Sequence, residues 1–107
     1  MKYIAFYFPQ FHTIKENNKW WGDNFTDWDL VKKAKKYAEE QQQPRIPLNN
    51  NYYDLTDAEV IAWQTQLAKK YGLAGFNFYH YWFDGKLLLG KPMELFLANP
   101  NNNLNFC

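Results

Sequence analysis

Two short apolar runs, with a capped helical pattern leading into the second, constrain the fold of this chain more than any other feature. Residues 3–8 read "YIAFYF" and are stopped by Pro9. A continuous apolar run of that length suits a strand buried on both faces, the kind found in parallel sheets. The clearest helix pattern covers Asp57 to Tyr71. Thr56 and Glu59 match a capping box, and Val60, Trp63, Leu67 and Tyr71 recur along one face. Gly72 supplies the left-handed residue that closes a helix, and "LAGFNFYHYWF" begins a second strand at once.

A further helix is expected from about Pro92 through "MELFLA", followed by the turn "NPNNN" and by "LNFC", the opening of a third strand. Strand, loop with helix, helix, strand, helix, strand is the order of parallel βα units with right-handed crossovers. The order alone leaves open a doubly wound sheet or a closed barrel. An eight-unit barrel takes roughly 250 residues, so 107 residues would supply only its first two to three units. We therefore treat residues 1–107 as a single portion of an α/β domain. Between the first two strands lies a polar and aromatic stretch. Within it, "TDWDLVKKAKKYAEE" predicts a short amphipathic helix with Thr26 as N-cap, Asp29 three residues on, and Trp28, Val31, Ala34 and Ala38 at helical spacing. "QQQPRIPLNNNYYDL" reads as ordered loop.

Charge narrows the partners. With 12 Lys and Arg against 11 Asp and Glu the net charge is +1, without the basic excess of a nucleic-acid or acidic-membrane binder. The lysines at 32, 33, 35 and 36 read as the solvated face of a helix, and Asp27 and Asp29 as helix-start carboxylates. The single Cys107 allows no intrachain disulfide and favours a cytoplasmic setting. No secretory signal is visible, and no run approaches the roughly 20 apolar residues of a membrane-spanning helix. Phosphate loop, nucleophile elbow and Cys–His pairing are absent, and two isolated histidines give no metal-ligand spacing. Neither cofactor nor metal is expected.

Aromatic content points to the surface that matters. Phe, Trp and Tyr make up 21% of the chain, and "GFNFYHYWFDG" packs six of those rings and His80 into eleven residues. Ligands of parallel α/β folds gather at the carboxyl ends of strands. "FPQFH" would bring Gln10 and His12 to one such end, and "YHYWF" would bring Tyr79, His80, Tyr81 and Trp82 to the other. Strands about 5 Å apart would share one rim, with Trp20, Trp21 and Asn24 above it. Planar amides, hydroxyls and ring faces suit a sugar, whose hydroxyls seek polar partners and whose C–H face seeks an aromatic plate. The plainer alternatives are an aromatic cluster under a loop and structural histidines.

The ordered motifs PQFH, WWG, FTDW, QPRIPL, YYDL and YHYWF together resemble the start of the WbsX-type glycosyltransferases, from Tyr3 to Cys107. Those bacterial proteins of polysaccharide and O-antigen biosynthesis are similar to family-99-like glycoside hydrolases with a (β/α)8 barrel. The family usually has Gly-Phe-Thr-Glu-Trp where this chain has Asn24-Phe25-Thr26-Asp27-Trp28. The resemblance implies a saccharide or glycan substrate and a pocket lined by Gln10, His12, Trp21, Tyr79, His80, Tyr81 and Trp82. It also implies that the acid/base carboxylates belong to a following Trp-Ala-Asn-Glu-Asn-Trp segment, so this piece alone should not turn over substrate and its unpaired parallel edges should self-associate. Two alternatives stay open: a stand-alone carbohydrate-binding module, and an inactive truncated gene product.

Overall fold

The computed structural model describes residues 1–43 and 45–107. Five strands and four α-helices follow in the order β1 (Ile4–Tyr7), α1 (Lys15–Trp21), α2 (Asp27–Lys33), α3 (Ala58–Lys70), β2 (Gly75–Phe78), β3 (Tyr81–Phe83), β4 (Lys86–Leu88), α4 (Lys91–Ala98) and β5 (Asn105–Phe106), with a 3-10 turn at Leu48–Asn50 before α3. The chain divides into two compact units, one made of residues 1–9 and 54–107, the other of residues 10–53.

The first unit is built on a parallel sheet ordered β1-β2-β5, with β1 and β5 at its edges. Tyr7 pairs with Phe78, Ala5 with Phe76, and Gly75 with Asn105. Because side chains alternate along a strand, Tyr7, Phe76 and Phe78 share one face. Helices cover that face: the Tyr7 hydroxyl donates to Gln64 of α3, and Phe96 of α4 meets Phe76 and Phe78 at 6.1 and 5.3 Å between ring centres. Leu55, Ile61 and Phe96 are nearly inaccessible and anchor this core. The opposite face carries Ile4, Phe6 and Phe8, which are exposed.

Helix α3 forms where its pattern predicts, with two corrections. The cap is Asp57, whose carboxylate accepts from the Glu59 amide at 2.9 Å; the Thr56 hydroxyl instead donates to Asp54 at 2.6 Å. The packed stripe is Ile61, Thr65 and Ala68, while Trp63, Leu67 and Tyr71 are exposed. Small residues let α3 lie close, and Thr65 satisfies its buried hydroxyl on the Ile61 carbonyl at 2.8 Å. Gly72 closes the helix at φ 77°, with the Leu73 amide returning to the Ala68 carbonyl at 3.0 Å.

The second strand is also shorter than its apolar run. β2 ends at Phe78, Tyr79 and His80 connect, and Tyr81–Phe83 form β3 of an antiparallel hairpin with β4. Asp84 and Gly85 both have positive φ, 46° and 78°, the two-residue turn that an Asp-Gly pair favours.

In the second unit, α2 begins with the expected capping box between Thr26 and Asp29, the Thr26 amide donating to the Asp29 carboxylate at 3.0 Å. It stops at Lys33, seven residues before the end of the expected pattern, as Ala34 turns to ψ 134°. Continuing would set Lys32 against Lys35 and Lys36, and Lys33 against Lys36, at the spacings where like charges repel. Helix α1 lies in a stretch that reads as loop; its apolar residues cluster at one end and give no periodic signal.

Candidate functional site

The hairpin and the two residues before it carry five consecutive aromatic or imidazole rings, Tyr79 to Phe83, most of them exposed. Alternation sorts these side chains onto two faces. On one face Tyr79 and Tyr81 lie 6.2 Å apart with planes 15° from parallel, and Tyr81 and Phe83 continue at 6.4 Å and 21°. On the other, His80 and Trp82 lie 6.2 Å apart and 8° from parallel. Tyr79, His80, Trp82 and Phe83 are exposed and Tyr81 half-buried, so these rings face solvent rather than one another's edges. Buried rings in the same unit behave differently: Tyr7 and Phe76 meet edge-on at 5.1 Å and 65°.

Neighbouring strand ends hold the base of this surface. The Tyr79 amide donates to the Tyr7 carbonyl at 3.2 Å. Its ring stands against Phe6 and Phe8, each 5.8 Å away. Tyr79 thus sits at the carboxyl end of β2 beside that of β1. The one sequence signal for the hairpin is the "DG" pair between apolar residues, which separates β3 from β4.

Gln10, His12 and Trp21 fall in the second unit. Trp21 is exposed and stacks on Phe25 at 5.4 Å and 18°. Gln10 is half-buried, and His12 is buried at 1% exposure. Around Trp28 the rings are structural. Its indole donates to the Tyr53 carbonyl at 2.8 Å, Phe11 lies tilted against it at 4.2 Å and 38°, and Tyr52 and Tyr53 meet it edge-on. Burial raises the Tyr53 hydroxyl above its ordinary value.

Asp27 is the carboxyl that sequence reasoning undervalues. Unlike Asp29 it takes no part in the cap, and one of its oxygens is buried without a hydrogen-bond partner. Burial raises its pKa above 3.8, against the helix N-terminus, which favours the ionised form. Among the described residues no group of three or more His, Cys, Asp or Glu is placed to hold a metal ion, and no helix is long and apolar enough to cross a membrane.

Residues 3–107, which carry these motifs in order, match the family described as glycosyltransferase WbsX, and the chain belongs to it. Among individual proteins it is similar to WxcX, an uncharacterized protein of Xanthomonas campestris pv. campestris, in strain B100 and in strain ATCC 33913. Each is 46% identical over 104 residues, which is 97% of this chain and 15% of the relative. The chain therefore spans about a seventh of the length of these relatives. No solved structure matches it.

Proposed function

We propose that this chain supplies a saccharide-binding element of a glycosyl-transferring enzyme, a short aromatic segment presenting Tyr79 and Tyr81 on one face and His80 and Trp82 on the other. The observation that carries the reading is the pair of near-parallel, solvent-facing ring stacks on one short hairpin. Exposed rings of this kind offer flat apolar plates to sugar C–H faces, while the Tyr hydroxyls and the His80 ring nitrogens offer hydrogen bonds at the plate edges. In the second unit, Trp21 and Gln10 are saccharide-contacting residues in their own right, and buried His12 acts from beneath the surface. The reading places the catalytic carboxylates outside residues 1–107, where the family resemblance puts them; hydrolysis at a glycosidic carbon takes a positioned pair.

The same reading makes residues 1–107 one N-terminal portion of a (β/α)8 barrel whose inner face is the one bearing Ile4, Phe6 and Phe8. Parallel sheets are covered on both faces, and among the described residues helices cover only the face of Tyr7 and Phe78. Work on polysaccharide or O-antigen precursors in the cytoplasm is the setting this implies. Calorimetric titration with a neutral oligosaccharide tests the proposal. Saturable binding that is lost in Trp82→Ala and kept in Trp63→Ala supports it; equal binding by both variants overturns it. Glycosyl turnover by residues 1–107 alone would overturn the assignment of the carboxylates.

A further inference from the structure

The early end of α2 changes the meaning of its lysines. Only Lys32 and Lys33 are helical; Lys35 and Lys36 lie on the loop beyond, with Lys36 on the wall of a hollow. Lys36, Gln42, Gln43, Arg45 and Ile46 line a shallow, solvent-open hollow of about 500 Å³. Its polar lining is two cations and two carboxamides, with no carboxylate. From Lys32 to Arg45 the chain carries five cations and two carboxylates, whereas the whole molecule is nearly neutral. Lys32 is committed elsewhere, its ammonium lying 4.3 Å from the centre of the Tyr52 ring. Lys36 and Arg45 are exposed, and among the described residues neither is in an ion pair.

The loop is braced into shape. The Tyr37 amide donates to the Gln41 side-chain oxygen at 2.8 Å, and the Gln41 amide to the Ala38 carbonyl at 3.1 Å. The Lys36 ammonium donates to the Glu39 carbonyl at 3.4 Å, which holds it at the wall with two protons still free. A guanidinium binds two phosphate oxygens side by side, an ammonium adds a point charge, and carboxamide N–H groups complete the donors.

We propose that this hollow is a diphosphate-binding site of the second unit. A diphosphate accounts for two separate cations better than a single small anion does, and activated sugars carry one whether the carrier is a nucleoside or a polyprenyl lipid. The diphosphate chemistry rests on the cavity alone; its assignment to a sugar donor rests on the glycosyl-transfer reading.

Calorimetry on the 107-residue chain with inorganic pyrophosphate, uridine diphosphate and farnesyl diphosphate tests it. Saturable binding is expected, weakened by high salt and by about tenfold or more in the Lys36→Gln/Arg45→Gln variant, as loss of two charge-assisted contacts implies. Both side chains are exposed, so circular dichroism should show an unchanged fold. A preference for uridine diphosphate assigns a nucleotide carrier, a preference for farnesyl diphosphate a lipid carrier, and equal binding the diphosphate alone. No saturable binding of any probe, or undiminished binding by the double variant, overturns the site. Trp82→Ala should bind pyrophosphate normally while losing neutral sugar, so failure of one site is distinguishable from failure of the other.

Discussion

Adding one methyl group at Gly75 should strain the contact between β2 and β5. A Cβ there would stand 2.7 Å from the Asn105 carbonyl oxygen and 3.1 Å from its carbon, both backbone atoms that no rotamer change can move. Gly75 does not need glycine's left-handed freedom, so Gly75→Ala should by itself stabilise by about 0.4–1 kcal/mol through the unfolded chain. The clash costs about 1–3 kcal/mol if the sheet stays together. Alternatively β5 leaves, giving up two backbone hydrogen bonds, Cys107 N–H to the Phe76 carbonyl at 3.0 Å and Phe78 N–H to the Cys107 carbonyl at 2.9 Å. It also gives up the Asn105 amide bond to the Ala74 carbonyl at 3.0 Å and the contact of Phe106 with Phe96. Three bonds at about 0.5–1.5 kcal/mol each, before the β2–β5 ladder itself is counted, put that route at about 1.5–4.5 kcal/mol or more, so strain is the cheaper route and, less the gain through the unfolded chain, the net loss should be about 0.5–2.5 kcal/mol. Urea unfolding followed by circular dichroism measures it, and amide exchange at Phe78 and Cys107 reports whether the strand has left. Stability equal to or above wild type, with those amides still protected, would refute the parallel β2–β5 contact.

Other perturbations probe the remaining parts. Ile61→Ala should cost about 2–4 kcal/mol and Trp63→Ala under about 1 kcal/mol in the same urea assay, reversing the order that the amphipathic pattern alone suggests. Asp27→Asn should stabilise near neutral pH by no more than about 1 kcal/mol, because the residue is only half-buried and solvent screens its charge. The sign follows from its raised pKa: the folded state holds the proton more tightly, so the penalty is absent below pH 3.8 and grows as pH rises through the folded pKa. Melting temperatures of the two proteins should therefore converge in acid. Phe6→Lys, on the uncovered sheet face, should reduce concentration-dependent association in sedimentation velocity without lowering the melting temperature, since Phe6 is 73% exposed.

The parallel order was readable because it rests on long-range regularities: apolar runs of strand length, a glycine stop at Gly72, Pro92 in the first turn of α4 and the apolar opening at residue 104. Three local features escaped for physical reasons. The hairpin was hidden because β2 and β3 are contiguous in apolar character, and only the Asp84-Gly85 turn, between β3 and β4, marks it. The stripe of α3 was misjudged because the large residues Trp63, Leu67 and Tyr71 draw the eye, whereas close packing favours Ile61, Thr65 and Ala68. The end of α2 was overrun because Ala34 and Ala38 keep helical spacing while the lysines between them oppose it. Of the expected site residues, Tyr79 to Trp82 alternate between the two faces of one short segment, and Gln10, His12 and Trp21 belong to the second unit.

The most direct test of the central claim reads the tryptophan indole N–H resonances while a neutral oligosaccharide is titrated into labelled protein. Trp82 on the hairpin and Trp28, bonded to the Tyr53 carbonyl, give an internal contrast. The account predicts a saturating shift of the Trp82 resonance, with the Tyr79 to Tyr81 amides moving in parallel and Trp28 unchanged. A Trp82 resonance unmoved at saturating sugar, or one moving no more than Trp28, would contradict it.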